Sequence, residues 1–247
     1  MNIDELLELL KKRRSIRRFR PDPIPDEQIE KIIEAARWAP SGANAQPWEF
    51  IIVKDQATKE KIAQIYHDTY QEEHECMEGL RIEEFRHHQI ASSAQALPGF
   101  KDAPVLVVVC GDRRTLQAST IAVRYIGTEG GGGDSTYLKN MANATFSLLL
   151  AATSLGLGCQ WVSVSTHMDQ LLKPLLDVPA ILQIHTLIAI GHSAYEPGPS
   201  YRRDLKELIH NEKYDRRRFR TGRQIIQFLR ELRARTKAGY DQGKPTR

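Results

Sequence analysis

The sequence predicts an α+β fold, with one mixed or antiparallel sheet surrounded by helices. Three observations carry that prediction. Four short runs, 48–53 (WEFIIV), 104–110 (PVLVVVC), 160–164 (QWVSV) and 184–190 (IHTLIAI), have strand length and are rich in β-branched or aromatic residues. Segments with apolar residues at helical spacing outnumber them. The two kinds alternate irregularly and without an internal repeat.

The elements follow in order. Ile3, Leu6, Leu7, Leu9 and Leu10 mark one face of an opening helix. Asp4 and Glu5 lie at its start and Lys11 to Arg14 at its end, which suits the helix dipole. RFRPDPIP is extended because each proline disfavours helix in the residue before it. Asp26 is read as the cap of a second helix that buries Ile29, Ile32, Ile33 and Ala36 and stops before Pro40. The loop PSGANAQP leads into the first strand. Residues 58–95 read as two helices with a very polar middle. The run at 104–110 has the continuous apolar character of a strand buried on both faces. Residues 118–133 are irregular and end in four glycines. Residues 138–155 form a long helix whose Ala142, Ala144, Ala151 and Ala152 permit close packing, and either Gly156 or Gly158 supplies a left-handed stop. After the last two strands, YRRDLKELI begins another helix, residues 224–235 form a basic amphipathic helix, and the last dozen residues look disordered.

The chain has 247 residues, of which 41% are hydrophobic and 27% charged, so one large soluble core is expected. Its net charge of +4 is mild and concentrated at 11–20 and 216–235, a pattern of an anionic ligand or a basic tail rather than a nucleic-acid footprint. Cys76, Cys110 and Cys159 are far apart and form no CxxC pair, which suggests a reduced, cytoplasmic protein. The N-terminus lacks the apolar core of a secretory signal, and stretches such as 146–152 are too short to span a bilayer, so no membrane partner is expected.

Three segments could carry chemistry. In Arg13-Arg14-Ser15-Ile16-Arg17-Arg18-Phe19, four guanidinium groups and a hydroxyl lie within six positions, a set that can fork onto phosphate oxygens. The same run would equally complement a helix C-terminus and face solvent. In Ala39-Pro40-Ser41-Gly42-Ala43-Asn44-Ala45-Gln46-Pro47-Trp48, Gly42 permits close backbone approach, and the amides of Asn44 and Gln46 both donate and accept, as the imide edge of a flavin requires; an ordinary polar connector uses the same residues. In Gly156-Leu157-Gly158-Cys159-Gln160-Trp161-Val162-Ser163, glycines ahead of a strand either let the backbone pass a flat ring or simply stop a helix.

In order and spacing, RRSIRRF, APSGANAQPW, LLLAATSLGLG and YRRDLKELI resemble the nitroreductase family over roughly residues 5–210. The resemblance implies a nitroreductase-like α+β fold and an intertwined homodimer with FMN bound non-covalently at its interface. NADH or NADPH would be the reductant and a small organic molecule, such as a nitroaromatic or quinone, the acceptor. It implies that Arg13, Arg14, Ser15 and Arg17 contact the phosphate, ribityl chain and pyrimidine edge. Pro40, Ser41, Gly42 and Asn44 would line the ring from the partner subunit. Trp161, Val162 and Ser163 would pass its reactive face, and Arg202 or Arg203 would close over the phosphate. The FMN-binding domain would span 1–214, with a variable lid at about 60–100, and 215–247 would be a basic helical extension.

No dedicated catalytic acid or base is expected, because the cofactor carries the chemistry. No Rossmann GxGxxG follows a strand, and no P-loop is present. Glu84 and His88 have helical spacing beside His74 and His87, but HExxH is absent and no metal is expected. Tyr66, Tyr70, Phe85 and Phe100 lie in the expected lid, to stack on an acceptor or to pack the core. Other chemistries of the same family stay open. QWVSV resembles the flavin-fragmenting dimethylbenzimidazole synthases, which carry an aspartate where this chain has Ser15. RRS-x-R and APSGA resemble iodotyrosine deiodinases, whose substrate-gripping lid residues are not recognisable, and substrate dehydrogenation is a further alternative. A non-enzymatic flavin- or nucleic-acid-binding role would rest on the basic ends alone.

Overall fold

Four strands form one antiparallel sheet in the order β1-β2-β4-β3, with β1 at Trp48–Val53, β2 at Val105–Gly111, β3 at Gly158–Ser163 and β4 at Gln183–Gly191. The computed structural model describes residues 2–80, 97–115, 132–198 and 200–241. Around the sheet lie α1 (Ile3–Lys12), α2 (Asp26–Arg37), α3 (Gln56–Leu80), α4 (Gly132–Ser154) and α5 (Thr166–Leu176). The fold is α+β, and the sheet is wholly antiparallel. The chain's contacts fall into two compact units, Met1–Ser193 and Ala194–Arg247, the second holding α6 (Leu205–Leu208) and α7 (Gly222–Asp241).

The sheet follows from its apolar runs. Every residue of β2 is buried, as expected for a central strand covered on both faces. Pleating turns Val105, Val107 and Val109 to one face, where Ile188 and Ile190 join them beneath α2 and α4. Ile29, Ile32 and Ala36 of α2 meet Ala144, Leu148, Leu149 and Ala152 of α4 in that layer. The alanines let the two helices approach closely. On the other side, α5 packs on β4 and α3 packs on α5. A β-bulge interrupts the register: Thr186 pairs with Val109 and Ile184 with Cys110, leaving His185 as the extra residue.

Several local expectations are corrected. The cap of α2 is Pro25; Asp26 is the first helical residue and ion-pairs with Lys54. Helix α3 runs for 25 residues into the stretch read as a polar middle, and the remainder of the two helices expected over 58–95 lies largely outside the described residues. The long helix α4 begins at Gly132 rather than 138, and β3 starts at Gly158. Gly156, at φ +75°, is the left-handed stop. Helix α5 is an unexpected element, capped by Ser165, whose side chain accepts from the Met168 N–H, and ended by left-handed Asp177. YRRDLKELI contributes only the single turn of α6, and α7 continues to Asp241, into the tail expected to be disordered.

Candidate functional site

Helix α1 delivers the arginine cluster to the sheet. Its first turn is closed by a capping box in which the Asn2 side chain accepts from the Glu5 N–H and the Glu5 carboxylate accepts from the Asn2 N–H, at 2.9 Å each. Past Arg13 the chain runs straight and lies beside β3: Ser15 forms a parallel bridge with Cys159, and the Ile16 N–H donates to the Cys159 carbonyl at 2.9 Å. Gly158 permits this approach, since a Cβ there would lie 2.6 Å from Ile16 Cγ1. Ile16 and Phe19 are buried and Arg17 and Arg18 exposed, so the segment anchors on its apolar residues and offers its cations outward. Arg14 turns back, its Nη1 donating to the carbonyls of Lys11 and, at 3.0 Å, Arg13. Helix-end complementation therefore describes Arg14, while Arg13 and Ser15 are half-buried beside β3.

Beyond Cys159 no strand among the described residues covers the outer edge of β3. Trp161 is 41% exposed there, and Ser163 is also exposed, whereas the Val162 side chain is buried. Of the three residues expected to pass a ring, Val162 can offer only backbone. On the far side of the arginines, a Cβ on Gly99 would lie 2.2 Å from the Arg17 carbonyl oxygen. Tyr66 stacks on Tyr70 at 5.9 Å and meets Phe100 edge-on at 5.5 Å. Phe100 is fully buried and belongs to the core. Burial raises the Tyr66 phenol pKa, an effect opposed by the nearby charge of Arg17. Phe85, Glu84, His87 and His88 lie outside the described residues.

The loop at 40–47 is held by α4. Asn140 Oδ1 accepts from the Gly42 N–H, and Asn143 Nδ2 donates to the Pro40 carbonyl, both at 3.0 Å. A short 3-10 turn, Gly42–Asn44, follows, with Ala43 and Asn44 at φ 53° and Gln46 at φ 44°. The loop and the arginine segment of the same chain attach at different points along α4. The loop docks at Asn140, while Cys159, beside Ser15, lies with its Sγ 3.7 Å from the Leu149 carbonyl oxygen. Nine helical residues separate those two points on α4, or about 13 Å. Arg202 and Arg203 lie in the second unit, Arg202 donating to Ser200 Oγ at 2.6 Å and Arg203 paired with Glu207 at 3.2 Å.

One group escapes sequence reasoning. The bulge turns His185 toward α4, where its Nε2 lies 2.8 Å from Tyr137 Oη, and the Arg113 guanidinium sits 5.3 Å from the Tyr137 ring centroid. Burial, reinforced by Arg113, pushes the His185 pKa down to about 4, and burial raises that of Tyr137. A neutral imidazole accepting from the phenol O–H fits both shifts. No local motif could reveal a pair 48 positions apart that depends on a bulge. Burial also pushes the Cys110 and Cys159 thiols up to about 12 and about 11, which marks them as packing groups rather than nucleophiles. Among the described residues, no three His, Cys, Asp or Glu gather as a metal site, and no helix is long and apolar enough to cross a membrane.

Comparison with known proteins accords with this geometry. The model of the nitroreductase family matches residues 10–192. The chain is 32% identical over 205 residues to an NADH dehydrogenase of Thermus thermophilus, covering 80% of this chain and 91% of that one. It is also 32% identical over 188 residues to a 5,6-dimethylbenzimidazole synthase of Rhodospirillum rubrum, covering 76% and 82%. Among solved structures, the NADPH:FMN oxidoreductase of Vibrio harveyi shares the fold, with a TM-score of 0.66 at 20% identity over 92% of this chain and 84% of that one. A family match across the arginine segment, the docked loop and the whole sheet places the chain in the nitroreductase family.

Proposed function

We propose that the chain is an FMN-dependent oxidoreductase that passes electrons from NADH or NADPH to a small organic acceptor, such as a nitroaromatic or quinone, as a homodimer. The observation that carries this reading is the docking of the arginine segment against Cys159, at the open edge of β3. That contact joins a set of donors suited to phosphate to a strand edge whose backbone and exposed Trp161 suit a flat heteroaromatic ring. The residues present therefore fit FMN. Arg13, Ser15 and Arg17 would hold its phosphate, ribityl chain and pyrimidine edge, with Arg14 bracing the helix end behind them. Trp161, Val162 and Ser163 would flank the ring, Val162 through its backbone, and Arg202 or Arg203 would close over the phosphate. Bound there, FMN would supply the two-electron carrier between a nicotinamide and the acceptor.

The distance between the arginines and the loop at 40–47 supports a site shared between two copies, with Pro40, Ser41, Gly42 and Asn44 coming from the partner. Charge favours association as well. Fifteen of the 35 Lys and Arg but only seven of the 31 Asp and Glu lie in residues 194–247, a net +8, which leaves −4 for the first 193. The positive extension and the negative first unit of another copy attract each other.

Purified protein should be yellow and dimeric and should bleach anaerobically with NADH or NADPH. Replacing Arg13, Arg14 and Arg17 together by alanine should release FMN and leave the far-UV circular dichroism intact. A colourless wild-type chain whose melting temperature ignores added FMN would overturn the proposal. The synthase relative favours one second reading, consumption of the flavin itself. Recovery of intact FMN after many turnovers under air excludes it, and loss of FMN in proportion to turnover establishes it.

A further inference from the structure

We infer that Asn140 and Asn143, three positions apart on α4, are positioning residues that hold the turn at 40–44 as one wall of the flavin site. The inference rests on the reading of that turn as ring-lining. Its two hydrogen bonds grip the turn on either side of Ser41: Asn140 Oδ1 takes the Gly42 N–H, and Asn143 Nδ2 binds the Pro40 carbonyl, each at 3.0 Å. Immediately beyond the grip, three residues with side chains, Ala43, Asn44 and Gln46, adopt left-handed φ values of 53°, 53° and 44°. L-residues resist that region, so the turn does not hold this shape on local preference alone. Its internal bonds (Asn44 N–H to the Ser41 carbonyl at 3.0 Å, Gln46 N–H to Ser41 Oγ at 3.1 Å) close the turn but do not attach it to anything. The asparagines make the attachment.

The cost of the arrangement argues for its purpose. Asn140 is 3% exposed, and its Nδ2 is buried without a hydrogen-bond partner among the described residues. Flipping the amide does not help, because the Gly42 N–H requires an oxygen opposite it. A buried, unsatisfied amide is unfavourable, and an apolar side chain of similar size would avoid it. What an apolar residue could not do is fix Gly42. Gly42 itself is pressed close to α4, where a Cβ would lie 2.8 Å from Thr136 Cγ2. Helix and turn thus meet at close range through one glycine and two amides, and the side chains of Ser41 and Asn44 take their positions from that contact.

The test uses the full-length protein, with and without FMN. Asn143 is exposed, so Asn143→Ala should fold normally. Losing one neutral hydrogen bond should raise the FMN dissociation constant roughly three- to tenfold and alter the fine structure of the bound flavin's visible spectrum. Asn140→Leu should do the same, and Asn140→Asp, which keeps the acceptor, should restore wild-type binding. In flavin-free protein, hydrogen exchange at the Gly42 amide should be slow in wild type and Asn140→Asp and fast in Asn140→Leu. If Asn140→Leu does not fold, Asn143→Ala and Asn140→Asp decide the matter. Wild-type affinity and spectrum in Asn143→Ala, or an Asn140→Asp variant as weak as Asn140→Leu, would overturn the inference while wild-type protein still bound FMN. A wild-type chain that binds no FMN would overturn the proposed function, and with it the flavin role of these residues.

Discussion

Replacing His185 by glutamine should remove most of the pH dependence of stability between pH 7 and pH 5. His185 is held neutral in the fold, with a pKa lowered from 6.5 to about 4, chiefly by burial and secondarily by Arg113, against a smaller opposing effect of Asp169. The unfolded chain has a histidine that protonates near pH 6.5, so between pH 6.5 and pH 4 the unfolded state binds the extra proton. Stability must then rise with pH across that window. The contribution is complete above pH 6.5 and is lost as the pH falls toward 4. Each pH unit inside the window changes stability by about 1.4 kcal/mol, which gives about 2 kcal/mol between pH 7 and pH 5. Glutamine does not titrate, and its amide can still accept from Tyr137 Oη–H. Urea unfolding at several pH values, with FMN absent throughout so that ligand linkage does not enter, gives the slope for each protein. The difference between wild type and His185→Gln isolates this residue from all other titrating groups. Parallel stability curves for the two, within a few tenths of a kcal/mol, would refute the reasoning.

Three other predictions follow from packing and burial. Gly158→Ala places a methyl 2.6 Å from Ile16 Cγ1; it should cost about 1–3 kcal/mol in urea unfolding and weaken FMN binding, because the arginine segment must move off β3. Leu148→Ala empties a fully buried position between α2, α4 and the sheet; it should cost about 2–5 kcal/mol while leaving the bound-flavin spectrum unchanged. A thiol reagent at mildly alkaline pH should modify exposed Cys76 rapidly, whereas buried Cys110 and Cys159, with pKa values raised to about 12 and about 11, should react only after denaturation; thiol counting with and without denaturant checks this.

The sheet is legible in the sequence because its signals are local. Residues 105–111 are apolar without interruption and emerge as the fully buried β2, while Gly156 emerges as the left-handed stop of α4. Helix α5 is hard to read because Pro174 lies inside it and its first turn is polar. Its signals are Ser165 as cap and the buried pair Met168 and Leu172, four residues apart. Asp26 is misplaced by one position because acidic residues suit both the cap and the first turn of a helix, and Pro25 occupies the cap. The site divides along the same line. Its arginine and PSGANAQ motifs are visible as composition, but their attachments are not. The Ser15–Cys159 bridge, the Asn140–Gly42 bond and the Tyr137–His185 pair link positions 144, 98 and 48 apart, and no short window encodes such contacts.

Helix α4 connects these separate pieces. Its first half carries Tyr137, which reaches the bulge at His185, and the two asparagines that dock the turn at 40–44. Its second half carries Leu149, whose carbonyl lies beside the thiol of Cys159, the residue whose backbone anchors the arginine segment. Under the proposed function the turn and the arginine segment are parts of two different flavin sites, and the helix sets their attachment points about 13 Å apart along its axis. In the proposed dimer, each helix offers its turn to one site and its arginine segment to the other. Under that arrangement a substitution in the arginine segment disturbs one site per altered chain. Mixed dimers of wild-type and Arg13, Arg14 and Arg17 alanine chains should accordingly bind one FMN per dimer.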